Sequence, residues 1–396
     1  MDALLSLEDA QAKVLAAVAA PVAETVPIDA AAGRVTAEPT QSFVDLPPFA
    51  SSAMDGFAVR AADVPGTLTV VEEVAAGSPS GRALPAGDAM AISTGGVVPD
   101  GADAVVPVEH VVQTENRVEI AGAVDIGANI RPRGGDVVAG QTVVEAGVRL
   151  GATQLGALAA AGVARLACAR RPRVAVIATG SELVPPGTPL RPGQVYEANA
   201  LMLAAALAET GAEVERLPSV ADDEAAHRAA IERGLEADVL VTSGGVSVGP
   251  HDLVRRIEAE LGVEEIFWRV AVRPGKPVSF GVRGATLVFG LPGNPVSSLV
   301  GCELFVKPAL RALLGLPDPL PRYERGRLLA ALRRSAERDD FIRARARFDG
   351  DGVVLEPLSG QESHMIVRAA VANALVHVAR GDGMLEAGAV VPFIRL

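Results

Sequence analysis

Cysteine is nearly absent from this chain: Cys168 and Cys302 are the only two among 396 residues. Lying far apart, they argue against a disulfide framework or a thiolate metal site and fit a reducing, cytoplasmic setting. Lysine occurs only at Lys13, Lys276 and Lys307, so arginine carries nearly all positive charge. A lysine within Pro-Gly-Lys-Pro, Lys276, is then a better functional candidate than usual; a solvated surface charge is the plain alternative. Aromatic residues make up 3%, with one tryptophan, Trp268, which is more often core than a stacking platform. Base falls short of acid, and the net charge of −12 argues against nucleic acid or an acidic membrane as partner. An anionic ligand would therefore need a local basic cluster. No apolar run approaches the roughly 20 residues of a membrane span. Asp2, Glu8 and Asp9 stand where a signal peptide would carry basic charge, so none is expected.

A substantial hydrophobic fraction, 49%, allows a large core, and the length calls for more than one domain. Ser6-Leu-Glu-Asp9 reads as a helix cap with acid in the first turn, ahead of an apolar face of Leu7, Val14, Leu15 and Val18. From about Val22 to Gly147, glycine, proline and short β-branched runs predict a β-rich region, with strands such as Thr69–Glu72, Ala104–Pro107 and Val118–Ile120. Thr153 to Ala161 reads as a small alanine-rich helix.

At Arg173 the period changes. Strands are expected at 174–177, 213–217, 239–242 and 285–290, alternating with helices at 198–210, 222–235, after Asp252, and 299–314. That alternation predicts an α/β fold with a parallel sheet covered on both faces. After the prolines at 317, 319 and 321 the pattern returns to short strands, a small all-β domain. Three loops, 178–182, 242–252 and 290–298, follow strands of the α/β part. Ligands of such sheets bind beyond the carboxyl ends of the strands, so the three should gather at one edge.

The central stretch is Asp238 to Asp252, DVLVTSGGVSVGPHD, a buried-strand run followed by a glycine-rich loop. Gly244 and Gly245 permit a sharp turn and close approach of a ligand. Ser243, Ser247 and bare N–H groups can bind an anion, although an ordinary strand-to-helix connection has the same composition. Glu182, Asp222, Asp223 and Asp252 lie in or near these loops. Carboxylates beside a phosphate site need a cation between them, which suggests Mg²⁺; acids that begin a helix are also common caps. Phe267 to Pro277 supplies positive charge. Were Arg269 to Arg273 extended, Arg269 and Arg273 would share a face and could hold phosphate, or else protect a sheet edge. Asp55 in Ser51–Phe57, Thr94 in Ser93–Gly96 and Asp136 in Arg131–Asp136 occupy polar turns of the β-rich region. The tail offers Arg343 and Ser363. Five scattered histidines, His364 among them, show no metal-binding spacing.

In order, the chain carries SAMDGFA at 52–58, TGG with PDGADAVV within 94–106, RPRGGD at 131–136, TGSEL at 179–183, TSGGVSVGPHD at 242–252, RPGKP at 273–277 and GLPGNPVS at 290–297. This ordered set resembles the molybdopterin molybdotransferase family, bacterial MoeA and the gephyrin E domain. The resemblance implies a linking domain (1–43 with 146–171), a β-rich domain (44–145), an α/β molybdopterin-binding domain (172–316) and a C-terminal β-barrel (317–396) in an elongated subunit. It also implies a homodimer with the active site between subunits. The implied reaction is Mg²⁺-dependent insertion of molybdate into adenylylated molybdopterin, with release of AMP. Carried over by position, Asp55, Thr94, Asp136, Glu182, Asp222, Asp252, Arg269, Arg273, Lys276, Arg343 and Ser363 are the candidate catalytic residues. Glu182, Asp222 and Asp252 are the candidate metal ligands. Thr179, Gly180, Ser243, Gly244, Gly245, Ser247, Gly249, Pro292, Gly293, Asn294 and Ser297 would bind the cofactor. Relatives often have lysines where this chain has Arg269 and Arg273; a planar fork there replaces a point charge. Rival readings are a molybdopterin adenylyltransferase or related nucleotide enzyme, and a non-catalytic scaffold. The SAMDGFA region, the terminal barrel and the lack of a long linker weigh against them.

Overall fold

The computed structural model describes residues 4–220, 223–245 and 253–396. The chain divides into two compact units. One comprises residues up to Glu24, Gly33–Ala37 and Ala169–Leu396; the other comprises Thr25–Ala32 and Glu38–Cys168.

In the larger unit a six-stranded sheet runs in the order Glu213–Arg216, Arg173–Ala178, Val239–Ser243, Thr286–Leu291, Ser279–Arg283, Glu264–Trp268. The first four are mutually parallel, and the last two are antiparallel additions. Strand alternation sorts the side chains. Val174, Val176, Val239, Val241 and Phe289 pack on one face with Leu203 and Leu207 of helix Asn199–Ala208. Ala175, Ile177, Leu240 and Val288 pack on the other with Ile231 and Ile257 of helices Glu224–Gly234 and Leu253–Glu260. Both faces are thus buried, which is why these strands read as unbroken apolar runs. The order places the second strand in sequence and the third on opposite sides of the first. Loops leaving the first and third therefore part in opposite directions, opening a crevice at their carboxyl ends.

The expected final helix forms as Pro295–Gly301, a π-helical turn Cys302–Val306 and Lys307–Leu313. Five strands of the tail, Tyr323–Leu328, Asp339–Phe348, Val353–Pro357, Ala374–Val378 and Val390–Arg395, close into a barrel. Leu328, Ala344, Leu355, Val376 and Phe393 fill it. At the amino end, Ser6 caps helix Leu7–Ala16 by accepting from the Asp9 N–H at 3.0 Å.

The smaller unit carries its own six-stranded sheet in the order Ala104–Pro107, Gly56–Val59, Asp88–Ile92, Gly66–Val74, Arg117–Ile120, Val111–Thr114. Phe57 and Val59 face one apolar cluster with Leu68, Val106 and Val118; Ala58 faces another with Met90 and Ile92. A helix at Ala152–Ala160 accompanies it.

The segment 269–273 departs from the extended strand expected of it. Arg269 has φ +75°, and Val270, Ala271 and Val272 are all buried. The reason is that two other parts of the chain grip it. Val270 bridges Leu5, and the Ala271 N–H donates to the Leu5 carbonyl at 2.8 Å. Val272 and Arg273 pair in parallel with Asp339 and Asp340 of the barrel. No face alternation survives such enclosure, so Arg269 and Arg273 do not form one basic face.

Candidate functional site

A cleft of about 850 Å³ opens at the crevice described above. Thr179, Gly180 and Glu182 line it from the first strand's loop, Ser243, Gly244 and Gly245 from the third's, and Pro292, Gly293 and Asn294 from the loop after Thr286–Leu291. The three loops therefore do meet at one edge, through their described residues. Ser247, Gly249, Asp222 and Asp252, four of the expected site residues, lie outside the described residues.

The glycines are demanded by the geometry. Gly244 has φ +100°, and a Cβ there would lie 2.5 Å from the Thr179 carbonyl oxygen. Gly245 has φ +68°, and its Cβ would lie 2.4 Å from Val254 Cγ2. At Gly180, φ +152°, a Cβ would fall 2.5 Å from Glu182 Oε2, so the Glu182 carboxylate folds back over this backbone.

Beneath the loops runs a hydrogen-bonded chain that the sequence did not flag. Asn199 Nδ2 donates to Ser243 Oγ at 2.9 Å and to the Gly293 carbonyl at 2.7 Å. Ser243 Oγ lies 3.1 Å from Ser298 Oγ, which donates to the Pro292 carbonyl. The hydroxyl in this chain is that of Ser298; Ser297, the expected ligand, is buried in helix Pro295–Gly301 and does not line the cleft. Asn199 was visible only as the one polar side chain opening the apolar run NALMLAAALA. Next to it, Glu197 caps the same helix, accepting from the Ala200 N–H at 2.7 Å.

Among the described residues two histidines line the cleft, His227 and His364. His227 is buried, with Nδ1 2.9 Å from the Asp223 carbonyl, and Asp223 caps that helix through Ala226. His364 and Ile366 come from a barrel loop. That loop is held by Arg343, which is 1% exposed and donates to the carbonyls of Met365 (2.7 Å), Gly360 (2.7 Å) and Glu362 (3.1 Å). Burial lowers the affinity of Arg343 for its proton. Expected to reach a ligand, Arg343 instead spends its donors on this loop. Ser363, within it, accepts from Asn294 Nδ2 at 2.9 Å, and its carbonyl accepts from the Val296 N–H at 3.0 Å.

The cations divide. Arg273 forms a forked pair with Asp340, a fully buried carboxylate. Arg269 stacks on Trp268, its guanidinium carbon 3.7 Å from the ring centroid, with Arg255 at 4.2 Å from the same ring. Lys276 is exposed beside Pro277, which lines the cleft, and no ion pair engages it among the described residues.

In the smaller unit three expected loops come together. Ser51 and Ser52 pair with Arg131 and Ile130, and the Gly95 N–H donates to the Ser52 carbonyl at 2.9 Å. Asp55 Oδ1 accepts from the Thr94 N–H at 2.6 Å and the Thr94 hydroxyl at 2.9 Å. These bonds, the backbone one foremost, hold the Asp55 carboxyl below its ordinary range. Asp136 is exposed in its turn, its N–H donating to the Leu46 carbonyl at 2.9 Å.

Mg²⁺ takes oxygen ligands and keeps several for substrate phosphate. Glu182, exposed and folded over Gly180 at the cleft, offers that chemistry. Among the described residues no three His, Cys, Asp or Glu side chains cluster as a metal site.

Family profiles match the chain in three consecutive stretches: "MoeA N-terminal region (domain I and II)" at 5–162, "Probable molybdopterin binding domain" at 175–312 and "MoeA C-terminal region (domain IV)" at 325–396. Molybdopterin molybdenumtransferase 2 of Mycobacterium tuberculosis is 42% identical over 81% of this chain and 82% of its own length. Molybdopterin molybdenumtransferase of Haemophilus influenzae is 34% identical over 97% of each. A crystal structure of the molybdopterin biosynthesis MoeA protein of Pyrococcus horikoshii superposes with a TM-score of 0.86, at 26% identity, over 99% of this chain and 100% of that one. Another MoeA crystal structure from that source gives 0.85 at 34% identity over 99% of each chain. With all three profiles in order and relatives of this identity along most of its length, the chain belongs to the MoeA family.

Proposed function

We propose that this chain is a molybdopterin molybdenumtransferase that inserts molybdate into adenylylated molybdopterin and releases AMP. The observation that carries the reading is the cleft at the parting of two parallel strands, built from TGSEL, TSGG and GLPGNP loops. Its size suits a pterin nucleotide, since small-molecule sites run to roughly 300–1,000 Å³. Its glycines leave backbone open for a phosphate to approach.

Glu182 would hold Mg²⁺, with Asp222 and Asp252 as its proposed companions. Bound there, the ion supplies charge neutralisation to the diphosphate. The chain's own contribution is placement. Lys276, exposed and next in sequence to the cleft-lining Pro277, offers a cation with no ion pair among the described residues, as a negative protein needs for an oxyanion substrate. Ser363 is presented by the loop that Arg343 ties down, and Asn294 orients its hydroxyl. In this reading Arg343 is a positioning residue, and the gain comes from proximity and a fixed electrostatic setting. Arg273 steadies the barrel beside the sheet through Asp340, and Arg269 gives its charge to the Trp268 stack. The Asp55–Thr94 pair and Asp136, exposed in its own turn, we assign to the same reaction in a homodimer.

Purified protein incubated with Mg²⁺ and adenylylated molybdopterin should release AMP only when molybdate is added. AMP release independent of molybdate, or consumption of ATP with molybdopterin, would replace this reading with a nucleotide-transfer one.

A further inference from the structure

Among the described residues, Asn199 has one group left over. Both hydrogens of its amide nitrogen are committed, to Ser243 Oγ and the Gly293 carbonyl. A carbonyl can only accept, so the contact at 2.7 Å fixes which end of the amide is nitrogen. The direction then propagates. Ser298 Oγ donates to the Pro292 carbonyl, Ser243 Oγ has Ser298 Oγ and that same carbonyl as its acceptors, and Asn199 donates into Ser243. The amide oxygen is an acceptor with no protein donor among the described residues, on a side chain that lines the cleft. A pre-oriented acceptor recognises a ligand N–H far better than an adaptable one, because its partner cannot be replaced by rotating the group.

We infer that Asn199 Oδ1 reads an N–H donor on a fused nitrogen heterocycle of the ligand, making Asn199 a specificity-determining residue of the cleft. The inference rests on the reading that adenylylated molybdopterin binds there. That ligand offers two such donor edges, the exocyclic amine of adenine and the amino-pyrimidinone edge of the pterin. The hydroxyls of Ser243 and Ser298 serve Asn199 as positioning groups, and they contribute to recognition by locking the amide.

Titration calorimetry under anaerobic conditions separates the sources. Wild type, Asn199→Ala and Asn199→Asp would each be titrated with AMP, with purine ribonucleoside monophosphate, which lacks the 6-amine, and with molybdopterin. Asn199→Asp keeps an acceptor and loses both donors, so a merely structural role would make it behave like Asn199→Ala. If Oδ1 reads adenine, wild type should prefer AMP over the analogue without the amine by about tenfold, Asn199→Asp, which keeps the acceptor but loses the bonds that lock it, should keep part of that preference, and Asn199→Ala should show none. If it reads the pterin, molybdopterin affinity should fall about tenfold in Asn199→Ala and by clearly less in Asn199→Asp. Equal behaviour of the two variants toward all three ligands overturns the inference and leaves the proposed function standing. Failure of wild type to bind either AMP or molybdopterin removes the proposed function, and the inference with it.

Discussion

Glu303 and Lys307 sit one helical turn apart, both nearly inaccessible, with Nζ 2.5 Å from Oε1. Burial works against the Lys307 charge, but Glu303 outweighs it, so the ammonium holds its proton above the ordinary range. Lys307→Met should leave a buried, uncompensated carboxylate and cost about 3–5 kcal/mol. Urea unfolding measures it; a loss under about 1 kcal/mol would mean that Glu303 finds another partner. Asp238, where the third parallel strand begins, is the acid counterpart. Burial raises its pKa, yet the forked bond from Arg170 and the Arg173 N–H prevail and lower it overall. A carboxyl depressed in the folded state contributes stability above its unfolded value near 3.8 and loses it as pH falls through the folded value. Asp238→Asn should therefore flatten the acid limb of stability against pH below about 4 and leave its shape near pH 7 alone. At this scale the sequence was a partial guide. It marked Lys276 by rarity but not Asn199, whose role depends on which carbonyl its amide meets.

Among elements, the glycine loop and the Arg343 loop make contrasting predictions. Gly245→Ala must place a Cβ at positive φ, 2.4 Å from Val254. The loop should shift, with a stability loss of about 1–3 kcal/mol and a larger proportional loss of nucleotide affinity, read by calorimetry. Arg343→Lys keeps charge but replaces a planar fork that satisfies three carbonyls in different directions. It should lower the melting temperature and raise KM by loosening the Ser363 loop. An unchanged melting temperature with lost activity would instead make Arg343 a direct ligand contact. The strands and their faces were legible because Val174 to Ala178 and Val239 to Val241 are apolar on both sides, the pattern of strands covered on both faces. The turn at Arg269 was not legible. No glycine marks it; the Arg269 N–H bonds the Val278 carbonyl, and the residues that follow are held by Leu5 and Asp339, which only the fold brings near.

Across the whole molecule, Arg273–Asp340 joins the sheet-bearing part to the barrel. Asp340→Asn removes one partner of a pair whose acid is fully buried. A double-mutant cycle with Arg273→Met should give a coupling above about 1 kcal/mol, and additivity would show the pair to be incidental. The change of hydrophobic period at Arg173 made the α/β part readable, and the ordered motifs made the family readable. How segments 4–5, 270–273 and 339–340 interlock was beyond that reading, because it depends on two backbone pairings between distant stretches. That interlock limits how the protein can be cut. A fragment beginning after the prolines near 317 would retain a closed ring of strands but strip the outer hydrogen-bonding partners from Asp339 and Asp340. The bared backbone of that strand margin would invite self-pairing of excised barrels, and only the two carboxylates, now open to water, would oppose it.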